Sequence, residues 1–181
     1  MKKKSIFSAI AILLLIAVGL GLVSLGYSRW HHIQLNAALQ KAVDADDATW
    51  AQQLLDQGAD VDAIIPEGLT ALMRACQSGR ENAARALIQH GADVRFQGVV
   101  GASPLYLAAE YGFPNIVKML LDKGADPNAN THSGHTVLDV AESARRVKSR
   151  SSNQLRPPTL AQFDEIIQLL HQAGAKRGKR R

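Results

Sequence analysis

Cysteine, aromatic residues and catalytic motifs are all scarce in this sequence. The one cysteine, Cys76, excludes an internal disulfide framework and any multi-cysteine metal site. Aromatics make up 5% of the chain, so a core must be built from Ala, Leu, Ile and Val. An alanine-rich core means helices whose backbones approach closely. No nucleophile elbow, phosphate loop or metal-protease motif occurs, and no nucleic-acid motif accompanies the basic residues. The expectation is a protein that is not an enzyme, takes no cofactor and binds no nucleic acid.

Acidic residues are missing from both ends. Residues 1–34 carry four basic and no acidic side chains, residues 35–142 seven basic and fourteen acidic, and residues 143–181 ten basic and two acidic. The net charge of +5 is thus an acidic body of −7 between basic ends of +4 and +8.

Charge is also absent from Ile6 to Leu25, twenty residues preceded by Lys2, Lys3 and Lys4. Twenty helical residues span about 30 Å, the hydrocarbon thickness of a bilayer. A cleavable signal peptide is the rival reading, with small residues at Ser24, Gly26 and Ser28, but its apolar region is usually shorter, about 7–15 residues. The lysines place the N-terminus in the cytoplasm and everything after residue 28 across the membrane. The Lys-rich start reads as bacterial, which predicts a single-pass inner-membrane protein with a periplasmic body, or a soluble periplasmic one after cleavage. Tyr27 and Trp30 suit the membrane interface, with His31 and His32 in a linker over 29–34.

From Leu35 the chain repeats itself. "LLDQGADVDA" begins at Leu54, "LIQHGADVRF" at Leu87 and "LLDKGADPNA" at Leu120. Upstream, "TALMRACQSG" from Thr70, "SPLYLAAEYG" from Ser103 and "TVLDVAESA" from Thr136 keep the same 33-residue step. Leu39, Leu72, Leu105 and Leu138 recur in phase, as do Ala42, Ala75, Ala108 and Ala141. Thr70, Ser103 and Thr136 are good N-caps, and Pro104 suits a first helical position. Gly79 and Gly112 suit the left-handed end of a first helix, and Gly58, Gly91 and Gly124 that of a second.

A 33-residue period carrying this phrase resembles the ankyrin-repeat family over residues 35–176. The resemblance implies a short all-α solenoid of about four helix–turn–helix repeats at 35–63, 64–96, 97–129 and 130–176, which follows the membrane anchor or signal segment, residues 1–28, read from the uncharged run as an N-terminal transmembrane helix. No repeat keeps the family's histidine after the Thr-Pro-Leu phrase; Met73, Tyr106 and Asp139 stand there. In the first repeat, Ala37 and Asp46 replace the cap and the glycine. The last repeat is interrupted, since "FPNIVKML" from Phe113 returns as "FDEIIQLL" from Phe163 after fifty residues, seventeen more than the period. The insertion, about 143–159, reads as a basic extension of the first helix, then a loop ended by Pro157 and Pro158, with Thr159 capping the next helix. A basic tail, 177–181, closes the chain.

Bland readings account for most reactive residues. Cys76 takes an alanine position, equivalent to Ala109, and reads as a small buried side chain. His132 and His135 lie in a loop without a third ligand, a poor metal site. Asp44, Asp46 and Asp47 read as a solvated turn rather than a calcium loop.

What varies over the repeating scaffold is expected to meet a partner protein. On first helices these positions are Arg74, Gln77, Ser78, Leu107, Glu110 and Tyr111; on the hairpin tips they are Ile64, Ile65, Glu67, Phe96, Gln97, Val99, Val100 and His132. The apolar tips either pack on the neighbouring tip or form a binding patch. Arg145, Arg146, Lys148 and Arg150, with the basic tail, are candidates for anionic lipid, or form a solvated end. The resemblance implies a module that binds another protein, and with the placement read from the N-terminal segment the expected role is to scaffold or support a periplasmic partner. Alternatives are an immunity protein that neutralises a periplasm-acting toxin, its acidic body suiting a basic target, or an enzyme or metal-binding protein.

Overall fold

The computed structural model describes residues 29–65, 67–150 and 158–178. Eight helices occur among them: α1 (29–44), α2 (Ala48–Asp56), α3 (Ala71–Ser78), α4 (Glu81–Gln89), α5 (Pro104–Tyr111), α6 (Pro114–Asp122), α7 (Val137–Arg150) and α8 (Leu160–Gln172). No strand is present in this set, only an isolated bridge between Asn130 and Thr136. None of these helices is long and apolar enough to cross a membrane. The run Ile6–Leu25, the loop half of the insertion and the last three residues lie outside the described residues.

The first helices α3, α5 and α7 begin at hydroxyl caps. Thr70 accepts from the Met73 amide, Ser103 from the Tyr106 amide and Thr136 from the Asp139 amide. Thr159 and Gln162 form a full capping box at the start of α8. The helices pair as α3–α4, α5–α6 and α7–α8, and the pairs stack in two layers. One holds α3, α5 and α7 side by side, the other α2, α4, α6 and α8. Leu39, Leu72, Leu105 and Leu138 form one buried row through the stack, and Ala42, Ala75, Ala108 and Ala141 a second. Leu54, Leu87 and Leu120 supply a third from the other layer. No single helix pair could bury these rows alone, so the fold is held by neighbour-to-neighbour packing.

The loops repeat as faithfully as the helices. Ile65, Gly98 and Thr131 each donate an amide to the carbonyl four residues on, at Leu69, Ala102 and His135. Asp60, Asp93 and Asp126 each accept from the amide two residues later. These Asx turns fix the entry to every tip.

Two local expectations change. Residues 29–34 are not a linker but the first turns of α1. Nothing from Arg29 to Asp44 breaks a helix, and the segment is docked: His32 Nδ1 bonds the Gly58 carbonyl at 3.1 Å, and Asn36 accepts from the Asp60 amide at 2.8 Å. The aspartates after α1 are not merely solvated either. Asp44 pairs with Arg74, and Asp46 accepts from the Ala83 amide at 2.9 Å and from the Asn82 side chain at 3.0 Å. Asp46 holds a left-handed φ of 55°, strained for a non-glycine residue, and from there caps α4 of the next repeat. Asp46→Ala is therefore expected to cost about 1–2 kcal/mol, because the cap is lost while the strain stays. Asp46→Gly loses the same cap but relieves the strain, so its denaturation midpoint should lie between those of Asp46→Ala and wild type.

Candidate partner-binding surface

The hairpin tips carry three of the four most exposed aliphatic side chains among the described residues, Val147 on α7, at 72%, being the other. Val99 is 77% exposed, Val100 66% and Ile64 61%, with Glu67 and His132 exposed beside them. The tips touch one another through backbone and small groups: the His132 amide donates to the Val100 carbonyl at 3.2 Å, and Gln97 Nε2 reaches the Asn130 carbonyl at 3.5 Å. Val99 rests a methyl against Gly68 of the preceding tip, yet both valine side chains stay largely exposed. Phe96 and Ile65 are half-buried, Phe96 against the core, so they support the ridge from below.

Along the first helices the structure keeps most of the expected face and removes one member. Arg74 is half-exposed and pairs with Asp44, its Nε 2.9 Å from Oδ1. Gln77 Nε2 donates to the Tyr111 hydroxyl at 3.4 Å, a contact one repeat apart, and Ser78 is exposed. Leu107 is the correction: it is 7% exposed and belongs to the core. It sits on the middle helix of its layer, flanked by α3 and α7, and a leucine is too short to reach past both. Arg74, one repeat earlier in the same position, is long enough to emerge.

Glu110 is half-buried between these features, and burial raises its carboxyl above the ordinary range. Tyr106, four residues back, is pushed up by burial and then by the charges of Glu110 and Asp139. Burial of Asp139 acts in the opposite sense to its hydrogen bonds. The Thr136 amide and hydroxyl, the Gly178 amide and nearby His135 outweigh it and hold Asp139 below its usual value.

At the far end, α7 is 14 residues long against eight for α3 and α5, and its extra turns carry the basic group. Arg145 forms an ion pair with Asp164 on α8, which raises its already high pKa, so it braces the two helices. Arg146 donates to Ser143 at 3.1 Å and is exposed, as is Arg150; Lys148 is half-exposed. Residues 176–178 fold back across this end, unforeseen from the sequence. The Lys176 amide donates to Asn128, Arg177 pairs with Glu142, and the Gly178 amide donates to Asp139 at 3.0 Å. Together with the third tip they border an open groove of about 830 Å³. The only sequence signal was the repeat phrase itself, since Gly174-Ala175 matches Gly124-Ala125 at the lengthened step of fifty residues.

Cys76 is fully buried, and burial pushes its thiol up, away from reactivity. His135 Nδ1 bonds Ser133 at 2.9 Å, and no group of three or more His, Cys, Asp or Glu among the described residues is arranged to hold a metal ion.

The comparisons agree with this architecture. A family model described as ankyrin repeats (3 copies) matches residues 39–131, from Leu39 of the first buried row to the third tip. The match stops where the fourth repeat, lengthened by its insertion, begins. No curated protein matches the chain. The stacked helix pairs, the 33-residue recurrence of caps and tips, and this match have one meaning: the chain belongs to the ankyrin-repeat family, whose repeats are protein-interaction modules.

Proposed function

We propose that the chain is a non-catalytic binding module held at the periplasmic face of a bacterial inner membrane, where it scaffolds or supports a partner protein. The observation that carries the binding reading is the exposed aliphatic ridge of Ile64, Val99 and Val100 on tips whose backbones are already paired. Such a ridge serves packing poorly and a partner well. The membrane reading is supported by the uncharged run Ile6–Leu25 behind Lys2, Lys3 and Lys4, and by the helical residues that are described from Arg29, four residues beyond it. Arg146, Lys148 and Arg150 on the α7 extension give anionic lipid a second point of contact. The acidic body supports a second reading, an immunity protein that blocks a basic toxin.

The test uses the full chain, tagged and extracted from membranes. Wild type should retain a discrete protein that a Val99→Asp/Val100→Asp variant loses, while the melting behaviour of the two chains agrees within about 0.5 kcal/mol. Equal retention by both removes the tips from the binding surface. A reporter active only in the cytoplasm, fused after Arg181, should stay silent; activity there overturns the periplasmic placement.

A further inference from the structure

Among the described residues, the half-buried charged groups of α3, α5 and α7 all have partners except one. Arg74 has Asp44, Glu142 has Arg177, and the Asp139 carboxylate takes bonds from Thr136 and Gly178. Glu110 is half-buried, yet among the described residues it has neither a cation nor a hydrogen-bond donor, and burial alone sets its titration. Tyr106 lies one turn back on the same helix face, near enough to feel the Glu110 charge, and Tyr111 follows it with its hydroxyl tied to Gln77. A partly desolvated carboxylate without a counter-charge is an unfavourable arrangement that a bound cation would relieve.

The geometry points to Glu110, framed by Tyr106 and Tyr111, as the seat for an arginine or lysine side chain on a basic segment of the partner protein. A guanidinium there gains a charge-assisted bond to the carboxylate and an aromatic face to lie against. The −7 charge of residues 35–142 would draw such a segment in, and the buried Leu107 one turn from Tyr111 gives the seat an apolar floor. This assignment rests on the protein-binding reading above and names the chemistry of what is bound.

Binding of fluorescent tetra-arginine and tetra-glutamate peptides to the full chain tests it. Wild type should bind tetra-arginine in preference to tetra-glutamate, more weakly as salt rises. Glu110→Gln keeps shape and should weaken tetra-arginine binding about tenfold. Asp122→Asn, an exposed carboxylate at the end of α6, should change it by less than about twofold. Equal affinity for Glu110→Gln and wild type overturns the seat. Binding that appears only after residues 179–181 are removed also overturns it, by making the chain's own basic end the occupant. If the natural partner were retained equally by wild type and Glu110→Gln, the protein-binding reading would stand and this seat alone would fall.

Discussion

Replacing Ala108 with Asp should lower the stability of the stack by about 4 kcal/mol, read as a fall in denaturation midpoint. Ala108 is 0% exposed in the middle of α5, which packs against α3 on one side and α7 on the other. The new carboxylate would lie without water in the buried apolar core that Ala108 belongs to. Coupling in the stack runs between neighbours, so amide protection should fall in α3 and α7 as well as in α5, and least in α1. Ala108→Ser, close in size, should cost far less. A midpoint equal to wild type for Ala108→Asp would mean that α5 is not the middle of the layer.

Gly112→Ala carries the second large effect, about 3 kcal/mol, from two separable sources. The residue ends α5 at a φ of 82°, where any Cβ costs about 1–2 kcal/mol. A Cβ would also lie 2.3 Å from Cβ of Pro158 and 3.1 Å from Cζ of Phe163, which seat the start of α8 against the end of α5. Gly91→Ala is the internal control. It has a φ of 86° but nothing within 4 Å, so only the strain of about 1–2 kcal/mol remains. Gly112→Ala should therefore melt clearly below Gly91→Ala and loosen α8 first. Equal midpoints for the two variants would contradict the seating of Pro158 against the end of α5.

The rows that build the stack were plain in the sequence because repetition overdetermines them. A leucine, an alanine and a hydroxyl cap recurring together at 33 residues have one structural solution, and the buried rows and Thr70, Ser103 and Thr136 caps realise it. What escaped was what depends on neighbours in space. Leu107 and Arg74 share a position in the repeat, yet one is covered and the other emerges, because side-chain length against the flanking helices decides exposure. Asp46 looked like a departure from a glycine consensus, whereas its carboxylate caps a helix 37 residues away. The return of residues 176–178 over α7 depends on Asp139, Glu142 and Asn128 meeting there, and no local pattern announces that. At the binding surface, the sequence separated variable from repeated positions; only packing tells which of the variable ones face a partner.

The central claim is that the tips and first helices, and not the second helices, meet another protein. Photo-crosslinking in living cells tests it most directly, with the reactive residue placed singly at Val99, at Tyr111, and at Lys118 on the exposed side of α6. The account predicts one discrete product shared by the Val99 and Tyr111 positions and none at Lys118. The same product from Lys118 alone, or no product from any tip position, would contradict it.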